Sequence, residues 1–184
     1  MKSISIVAAD TQHHHLTKLA IERTLENLPF PAKVITFSDK TILDGADHYP
    51  IPTFTGHDDY NKFILKELNN YITTDFCLIV QYDGFAINSK MWSDDYLNFD
   101  YIGAPINDGK MVGNGGFSLR SKRLLDALDD THITFLPEQR FGKNEDRIIS
   151  EYFKGYLEST YNIEYAPLVL ASTFSFEKGK CPKD

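Results

Sequence analysis

Apolar and polar positions alternate in blocks along the N-terminal third of the chain, and their order predicts a strand, a helix and a second strand. Residues Ser3–Ala9 form a short apolar run that is typical of a buried strand. Two prolines follow the next predicted element, a helix whose apolar positions are Leu16, Leu19, Ala20, Leu25 and Leu28. Lys33–Phe37 predicts the second strand. A strand–helix–strand order favours a parallel α/β sheet.

The next part of the chain predicts a long loop, a helix and a central strand. Residues Thr41–Gly56 contain two prolines and are expected to be irregular, and long loops in compact domains are often functional. Asp58 can cap a helix on which apolar residues recur at helical spacing as far as Ile72. Phe76–Val80 is continuously apolar, which is typical of a parallel strand buried on both faces. The polar residues Gln81–Gly84 follow, where ligands of open α/β sheets bind.

Three glycines stand close together in the second half of the chain, at positions 113, 115 and 116, directly before the alternating residues Phe117–Arg120. Glycine lets backbone N–H groups approach a ligand closely, so this loop suits a sugar or a phosphate. The same pattern also fits a hairpin turn or a bulge that needs glycine for its geometry. Alternation places Ser118 and Arg120 on one face, where the guanidinium would lie near a ligand of the loop.

The C-terminal third predicts two helices and one strand. Leu124–Leu128 marks a short helix, and a longer helix starts near Asn144 and carries apolar residues as far as Leu157. Ile163–Ala166 predicts the last strand, and a polar tail follows it.

Composition narrows the possible functions. The 184 residues fit one domain, and the formal net charge of −7 argues against duplex nucleic acid as a partner, because such binding requires a basic patch. Two cysteines do not imply a disulfide framework. No apolar run reaches the length of a transmembrane helix or of a signal-peptide core, so we expect a cytoplasmic protein.

Acidic residues in two segments of the chain could carry chemistry. Asp83 follows the most hydrophobic strand, where an exposed carboxylate can hold a divalent cation, although Asp-Gly is also a strong turn signal. Gln81 lies on the same side of the strand and could add an oxygen ligand or a donor. Glu145 and Asp146 occupy the first turn of the later helix, where a carboxylate stays ionised and can accept a proton. First-turn acids are also common for helix stability alone.

Three motifs together resemble a GT-A-type glycosyltransferase domain. They are Gln81-Tyr82-Asp83-Gly84-Phe85, Gly113-Asn114-Gly115-Gly116-Phe117-Ser118-Leu119-Arg120-Ser121 and Asn144-Glu145-Asp146, and the resemblance spans about residues 50–177. It implies a single α/β domain over residues 1–184, with a Rossmann-like, mixed and mostly parallel sheet flanked by helices. Residues 1–83 would form the nucleotide-binding half, and residues 84–184 the half for the donor sugar and the acceptor.

The resemblance also implies roles for individual residues. Asp83 matches the last aspartate of a D-x-D element that holds Mn²⁺ or Mg²⁺, and Asp146 matches the base of inverting members, with Glu145 beside it. Together with the residue types, it implies a donor site made of Ala9, Asp10, Thr11, Gln81, Tyr82, Asp83, Gly113, Asn114, Gly115, Gly116 and Arg120. This chain departs from the family in two ways: Gln81 replaces the first aspartate, and no late histidine follows His132. Glu177 is the predicted replacement for that metal ligand.

The expected activity is transfer of a sugar from a nucleotide-sugar donor to a glycan or another hydroxyl acceptor, with inversion. Arg120, Lys122 or Arg123 could compensate the charge of the departing diphosphate. The alternative is a catalytically inactive module that binds a glycan or a nucleotide. A nucleotidyltransferase would need a glycine-rich basic loop after the first strand, which Ala8–His15 lacks. A second subunit or a partner protein could complete the acceptor site of so short a domain.

Overall fold

A computed structural model describes residues 2–106, 109–139 and 141–176. The strands are β1 (Ile4–Ala9), β2 (Lys33–Ser38), β3 (Asp47–Pro50), β4 (Phe76–Val80), β5 (Tyr101–Gly103), β6 (Pro105–Ile106), β7 (Met111–Val112) and β8 (Phe117–Ser121). The α-helices are α1 (His14–Asn27), α2 (His57–Lys62), α3 (Lys122–Ala127), α4 (Glu145–Arg147), α5 (Lys154–Tyr161) and α6 (Leu168–Phe174). Single π-helical turns extend α2 and α4, over Phe63–Glu67 and Ile148–Tyr152. Short 3₁₀ turns cover Leu68–Tyr71, Ser89–Met91 and Asp94–Asn98.

Six strands form one sheet in the order β3–β2–β1–β4–β8–β5, and β6 pairs separately with β7. The first four run parallel to one another, whereas β8 lies antiparallel between β4 and β5. This confirms the predicted mixed, mostly parallel sheet with flanking helices. All five residues of β4 are buried, as its continuous apolar run predicted. Full burial of a side chain such as Leu78 contributes roughly 1.5–3 kcal/mol, so β4 is a strong determinant of the sheet.

The helix α1 forms as predicted, but its buried face differs from its apolar positions. Leu16 and Leu19 are 46% and 43% exposed, whereas Thr17 and Thr24 are completely buried. The Thr17 hydroxyl donates to Asp10, and the Thr24 hydroxyl donates to the Ala20 carbonyl at 2.8 Å. Because these hydroxyls find partners, threonine can face the sheet while leucine faces solvent.

Two segments differ from their predictions. The expected loop 41–56 contains β3, which pairs with β2 at the edge of the sheet and ends at Pro50. Ile163–Ala166 is not a strand: it makes one isolated bridge, between Tyr101 and Tyr165, before α6 begins at Leu168. α6 lies within the segment that was predicted to be a polar tail.

Asp100 connects the C-terminal segment to the sheet. Its carboxylate accepts hydrogen bonds from the Arg123 side chain, the Ser121 hydroxyl and the backbone N–H of Glu164. Burial alone would raise the pKa of Asp100, but these donors outweigh burial and lower it. The chain that leads to α6 is thereby held against β5 and β8. Within the described ranges, no helix combines the length and apolar character needed to cross a membrane.

Candidate functional site

Two polar segments meet at the carboxyl end of β4. In the antiparallel register of β4 and β8, Val80 lies opposite Phe117, so the residues after one strand meet the residues before the other. The turn Gln81–Gly84 is closed by reciprocal backbone hydrogen bonds of 3.1 and 3.0 Å. A Cβ atom on Gly84 would lie 2.9 Å from the carbonyl oxygen of Gly116. The turn and the glycine loop are therefore in direct contact.

A cleft of about 1070 Å³ opens where these segments meet, a size at the upper end for small-molecule sites. Its lining includes half of the predicted site residues: Gln81, Asp83, Asn114, Gly115, Gly116, Glu145 and Asp146. Another part of the lining is aromatic and comes from Phe85, Trp92, Phe117 and Phe174. The three sequence motifs thus contribute to one cleft.

The glycine loop is shaped by Asn114 and by close neighbours. Asn114 has a positive φ of 54°, and its side-chain oxygen accepts from the backbone N–H groups of Gly116 and Phe117 at 3.0 and 3.4 Å. A Cβ atom on Gly116 would lie 2.6 Å from Oε1 of Gln81. A side chain at this position would displace the end of the Gln81 side chain, so the loop and Gln81 pack closely.

A buried ion pair lies beneath the loop. Arg120 and Glu145 face each other through two contacts of 2.9 Å, from Nη2 to Oε1 and from Nη1 to Oε2, and their side chains are 0% and 4% exposed. Arg120 Nε also donates to the Ser118 hydroxyl at 3.1 Å, and that hydroxyl donates to the carbonyl of Gly115 at 3.0 Å. A Cβ atom on Gly115 would lie 1.9 Å from Oε1 of Glu145. Only glycine fits above this pair.

The electrostatics of the pair follow from its burial. Burial raises the pKa of the Glu145 carboxyl, and the neighbouring Arg120 opposes that rise. Burial acts to lower the pKa of Arg120, but the charge of Glu145 outweighs it and raises that pKa above its usual range. Arg120 thus stays protonated, and its charge is balanced by the Glu145 carboxylate inside the protein. Its buried position differs from the predicted contact with a donor, since the guanidinium is enclosed and its charge compensated.

The other cations expected to compensate a diphosphate are also paired with carboxylates. Lys122 donates to Asp126 and to Asn69, and Arg123 donates to Asp100 with an Nε–Oδ1 distance of 3.0 Å. Neither lines the cleft. Asp126 lies in α3 with Lys122, whereas Asn69 and Asp100 are distant in the sequence, so backbone alternation could not show them as partners.

Asp146 and Asp83 both line the cleft. Asp146 is partly buried, and its Oδ1 accepts from the backbone N–H of Arg147 at 2.7 Å. Asp83 is exposed within the Gln81–Gly84 turn. The two carboxylates are therefore available to a molecule in the cleft, unlike the enclosed carboxylate of Glu145.

The end of β1 lies at the same edge of the sheet but outside the cleft lining. The Asp10 carboxylate accepts from the backbone N–H groups of Gln12 and His13 at 2.6 and 2.8 Å, and Thr11 Oγ1 accepts from the N–H of Phe54 at 2.8 Å. Ala9 is 8% exposed. Asp10 and Thr11 thus help to hold the start of α1 and the loop 51–56. His13 also stacks on the predicted donor residue Tyr82, with ring centroids 4.2 Å apart.

The residues available for a metal ion are few. In the described part of the chain, no group of three or more His, Cys, Asp or Glu side chains is placed to hold a metal ion. Asp83 has Gln81 rather than a second carboxylate beside it, and the predicted ligand Glu177 lies outside the described residues. The described donor set therefore does not fit a resident Mn²⁺ or Mg²⁺ by itself.

Two polar side chains of α2 that line the cleft, His57 and Asn61, were not among the predicted site residues. Asn61 is 2% exposed, and its Oδ1 accepts from the backbone N–H of Glu145 at 3.1 Å. His57 lies one helical turn earlier, and its Nδ1 is 3.0 Å from Nδ2 of Asn61. A buried amide within an otherwise apolar helix face was the available signal, because such a group needs partners.

The fold is that of known glycosyltransferases. A mannosyltransferase from Pyrobaculum calidifontis, solved with GDP-Man and Mn²⁺, matches at 9% identity and a TM-score of 0.50, over 69% of this chain and 46% of its own. TarS 1–349 from S. aureus matches at 14% identity and a TM-score of 0.50, over 77% and 52%. The apo form of the glycosyltransferase GlyE from Streptococcus pneumoniae TIGR4 matches at 13% identity and a TM-score of 0.52, over 91% and 45%.

This chain spans about half the length of each of these structures. At these identities the likeness establishes a shared glycosyltransferase-type fold, which confirms the predicted fold class. The chain itself belongs to the family DUF5672, described as a protein of unknown function, which matches residues 46–182. No curated protein sequence matches it significantly.

Proposed function

We propose that this protein transfers a sugar from a nucleotide-sugar donor to a hydroxyl group of a glycan or another acceptor, with inversion. One observation carries the proposal: a single cleft at the carboxyl end of the central strand contains Asp83, the glycine loop and Asp146. In open α/β sheets this is the edge where ligands bind. The glycosyltransferase-type fold supports the same conclusion, and one protein of that fold is solved with GDP-Man and Mn²⁺.

In this proposal Asp146 is the base. The acceptor oxygen attacks the anomeric carbon of the donor sugar, and the bond from that carbon to the diphosphate oxygen breaks, leaving its electron pair on the diphosphate. The hydroxyl proton passes to the Asp146 carboxylate. Asp146 suits this role because it lines the cleft, and the described residues bind its Oδ1 but not its Oδ2, which an acceptor can reach.

The glycine loop would hold the donor, and the buried pair would hold the loop. Gly115 and Gly116 present backbone without side chains to the cleft, and Arg120 with Glu145 supports Gly115 from below. Glu145 then positions Asp146, its neighbour in α4, rather than accepting the proton itself. Asp83 would take the role of the last aspartate of the D-x-D element, and Glu177 stays a predicted metal ligand.

A catalytically inactive binding module is the second candidate. It is favoured by Gln81 in place of the first aspartate and by the absence of a three-residue metal group among the described residues. Such a module would use the same cleft to bind a nucleotide or a glycan without turnover.

The test combines binding and turnover. Thermal shifts with a panel of nucleotide sugars, with and without Mn²⁺, are expected to show stabilisation by at least one donor. Asp146→Asn is expected to lower transfer by about 10²- to 10⁴-fold while keeping that stabilisation, because an amide cannot take up the proton. The exposed Asp44, which does not line the cleft, provides the matched control Asp44→Asn.

The outcomes separate the candidates. Donor binding without turnover by the wild-type protein would favour the inactive module. Full turnover by Asp146→Asn would refute the role of this residue as the base. Stabilisation by none of the donors would refute the transferase and the nucleotide-binding form of the module, and would leave only a glycan-binding module.

A further inference from the structure

A histidine that the proposed mechanism does not use lies in the same cleft. His57 and Asn61 are one helical turn apart in α2 and line the cleft together with Asp146. The His57 side chain belongs to an exposed residue, and its ring stacks against Tyr60 with a centroid distance of 6.0 Å and an interplanar angle of 19°. The ring is therefore held in orientation and remains accessible from the cleft.

The hydrogen bonds around Asn61 determine where the proton of His57 resides. A backbone N–H can only donate, so the Asn61 atom 3.1 Å from the N–H of Glu145 is the amide oxygen. The remaining amide nitrogen, Nδ2, can likewise only donate, and it lies 3.0 Å from Nδ1 of His57. Nδ1 must then be the acceptor. The ring is neutral in this arrangement, and its proton is on Nε2.

The partner of Asn61 is itself firmly held. Glu145 is the first residue of α4, and its carboxylate is bound by the buried guanidinium of Arg120. Asn61 is almost completely buried, and reversal of its amide would place its NH₂ group against the N–H of Glu145. The backbone N–H of Glu145 thus sets, through the amide of Asn61, the tautomer of a histidine in the cleft.

We propose that His57 contacts the donor substrate through Nε2–H, as a neutral hydrogen-bond donor to an oxygen of the sugar or of the diphosphate. Within the described residues, no protein acceptor of Nε2 is found, although this side chain lines the cleft. The inference rests on the proposed function, because it takes the nucleotide sugar as the occupant of the cleft. Neutral N–H donors suit both hydroxyl and phosphate oxygens.

The first arm of the test concerns the free protein and needs no ligand. Nitrogen-15 NMR of the histidine rings, assigned with His57→Ala, is expected to show a protonated Nε2 and an unprotonated Nδ1 for His57 at pH 8. A proton on Nδ1 would overturn the inference, whatever the protein binds.

The second arm measures affinity for UDP-glucose, GDP-mannose, UDP and GDP by calorimetry. For a ligand that the wild-type protein binds, His57→Ala is expected to weaken the affinity by about threefold to tenfold, which corresponds to the loss of one hydrogen bond. His57→Gln, whose amide nitrogen can replace Nε2, is expected to restore most of that affinity, whereas His57→Asn, whose amide lies nearer Nδ1, is not. The exposed His15, which does not line the cleft, provides the control His15→Ala.

Comparison of the ligands identifies the oxygen. Weakening of the nucleotide sugar alone indicates a sugar oxygen, and equal weakening of the nucleoside diphosphate indicates a phosphate oxygen. Unchanged affinity of His57→Ala for both overturns the inference while leaving the proposed function intact. Failure of the wild-type protein to bind any of the four overturns the ligand assignment together with the proposed function, and the NMR result still reports the tautomer separately.

Discussion

Removal of the charge of Glu145 is the sharpest test of the buried pair. Glu145→Gln keeps the shape of the side chain but leaves the guanidinium of Arg120, which has no exposed surface, without its counter-charge. Removing one partner of a buried ion pair typically costs about 3–5 kcal/mol. For a protein of this length, 1 kcal/mol corresponds to about 2–4 °C in Tm. The expected decrease in Tm is therefore about 6–20 °C.

An exposed ion pair provides the control. Lys154 and Glu158 pair within α5 with side chains 40% and 43% exposed, so Glu158→Gln is expected to shift Tm by about 2 °C or less. Differential scanning calorimetry of both variants measures the difference directly. If Glu145→Gln melts within about 1 °C of Glu158→Gln, the pair does not stabilise the fold as argued. Combining Glu145→Gln with Arg120→Met is expected to cost less than Glu145→Gln alone, because no buried charge is then left unpaired.

Two further predictions concern other parts of the fold. Gly115→Ala is expected to lower Tm, because its Cβ would lie 1.9 Å from the carboxylate of Glu145. The control Gly155→Ala has open space around the new methyl group and is expected to leave Tm unchanged or raise it slightly. Equal effects of the two substitutions would contradict the packing argument. The pKa of Asp130 is lowered from 3.8 to about 2, chiefly by the hydroxyl of Tyr156, with the N–H of His132 and the hydroxyl of Tyr161 adding to the effect. The folded-state pKa lies below the unfolded value, so the ionised carboxylate of Asp130 stabilises the fold. The decrease in the free energy of unfolding caused by Asp130→Asn is therefore expected to be largest at pH 7 and to shrink as the pH falls below about 4. Urea titrations at several pH values measure it. A loss that is independent of pH would show that these hydrogen bonds do not act through the charge.

Much of the sheet was readable from local patterns. The apolar runs at Ile4–Ala9 and Phe76–Val80 form its parallel central strands. They could be predicted because a strand that is buried on both faces is apolar at nearly every position. The parts that were misjudged depend on partners. Thr17 and Thr24 face the sheet because their hydroxyls find acceptors, and β3 exists because it pairs with β2.

The candidate site divides in the same way. Asp83, Gly115 and Asp146 could be chosen from their residue types and their places after a strand, in a loop and in a first helical turn, and all three line the cleft. The halves 1–83 and 84–184, the cytoplasmic location and the metal requirement stay predictions. So does any second subunit that would complete the acceptor site.

The roles of Arg120, Glu145 and His57 required the folded chain. Alternation along β8 shows which face Arg120 takes, but a partner 25 residues away decides whether that face is solvent or a buried carboxylate. Likewise, nothing near His57 in the sequence shows that an amide held by a distant backbone N–H determines its tautomer. A short stretch of sequence predicts burial and turn geometry, because both depend on a few neighbouring residues. Charge pairing and proton position depend on atoms that only tertiary packing brings together.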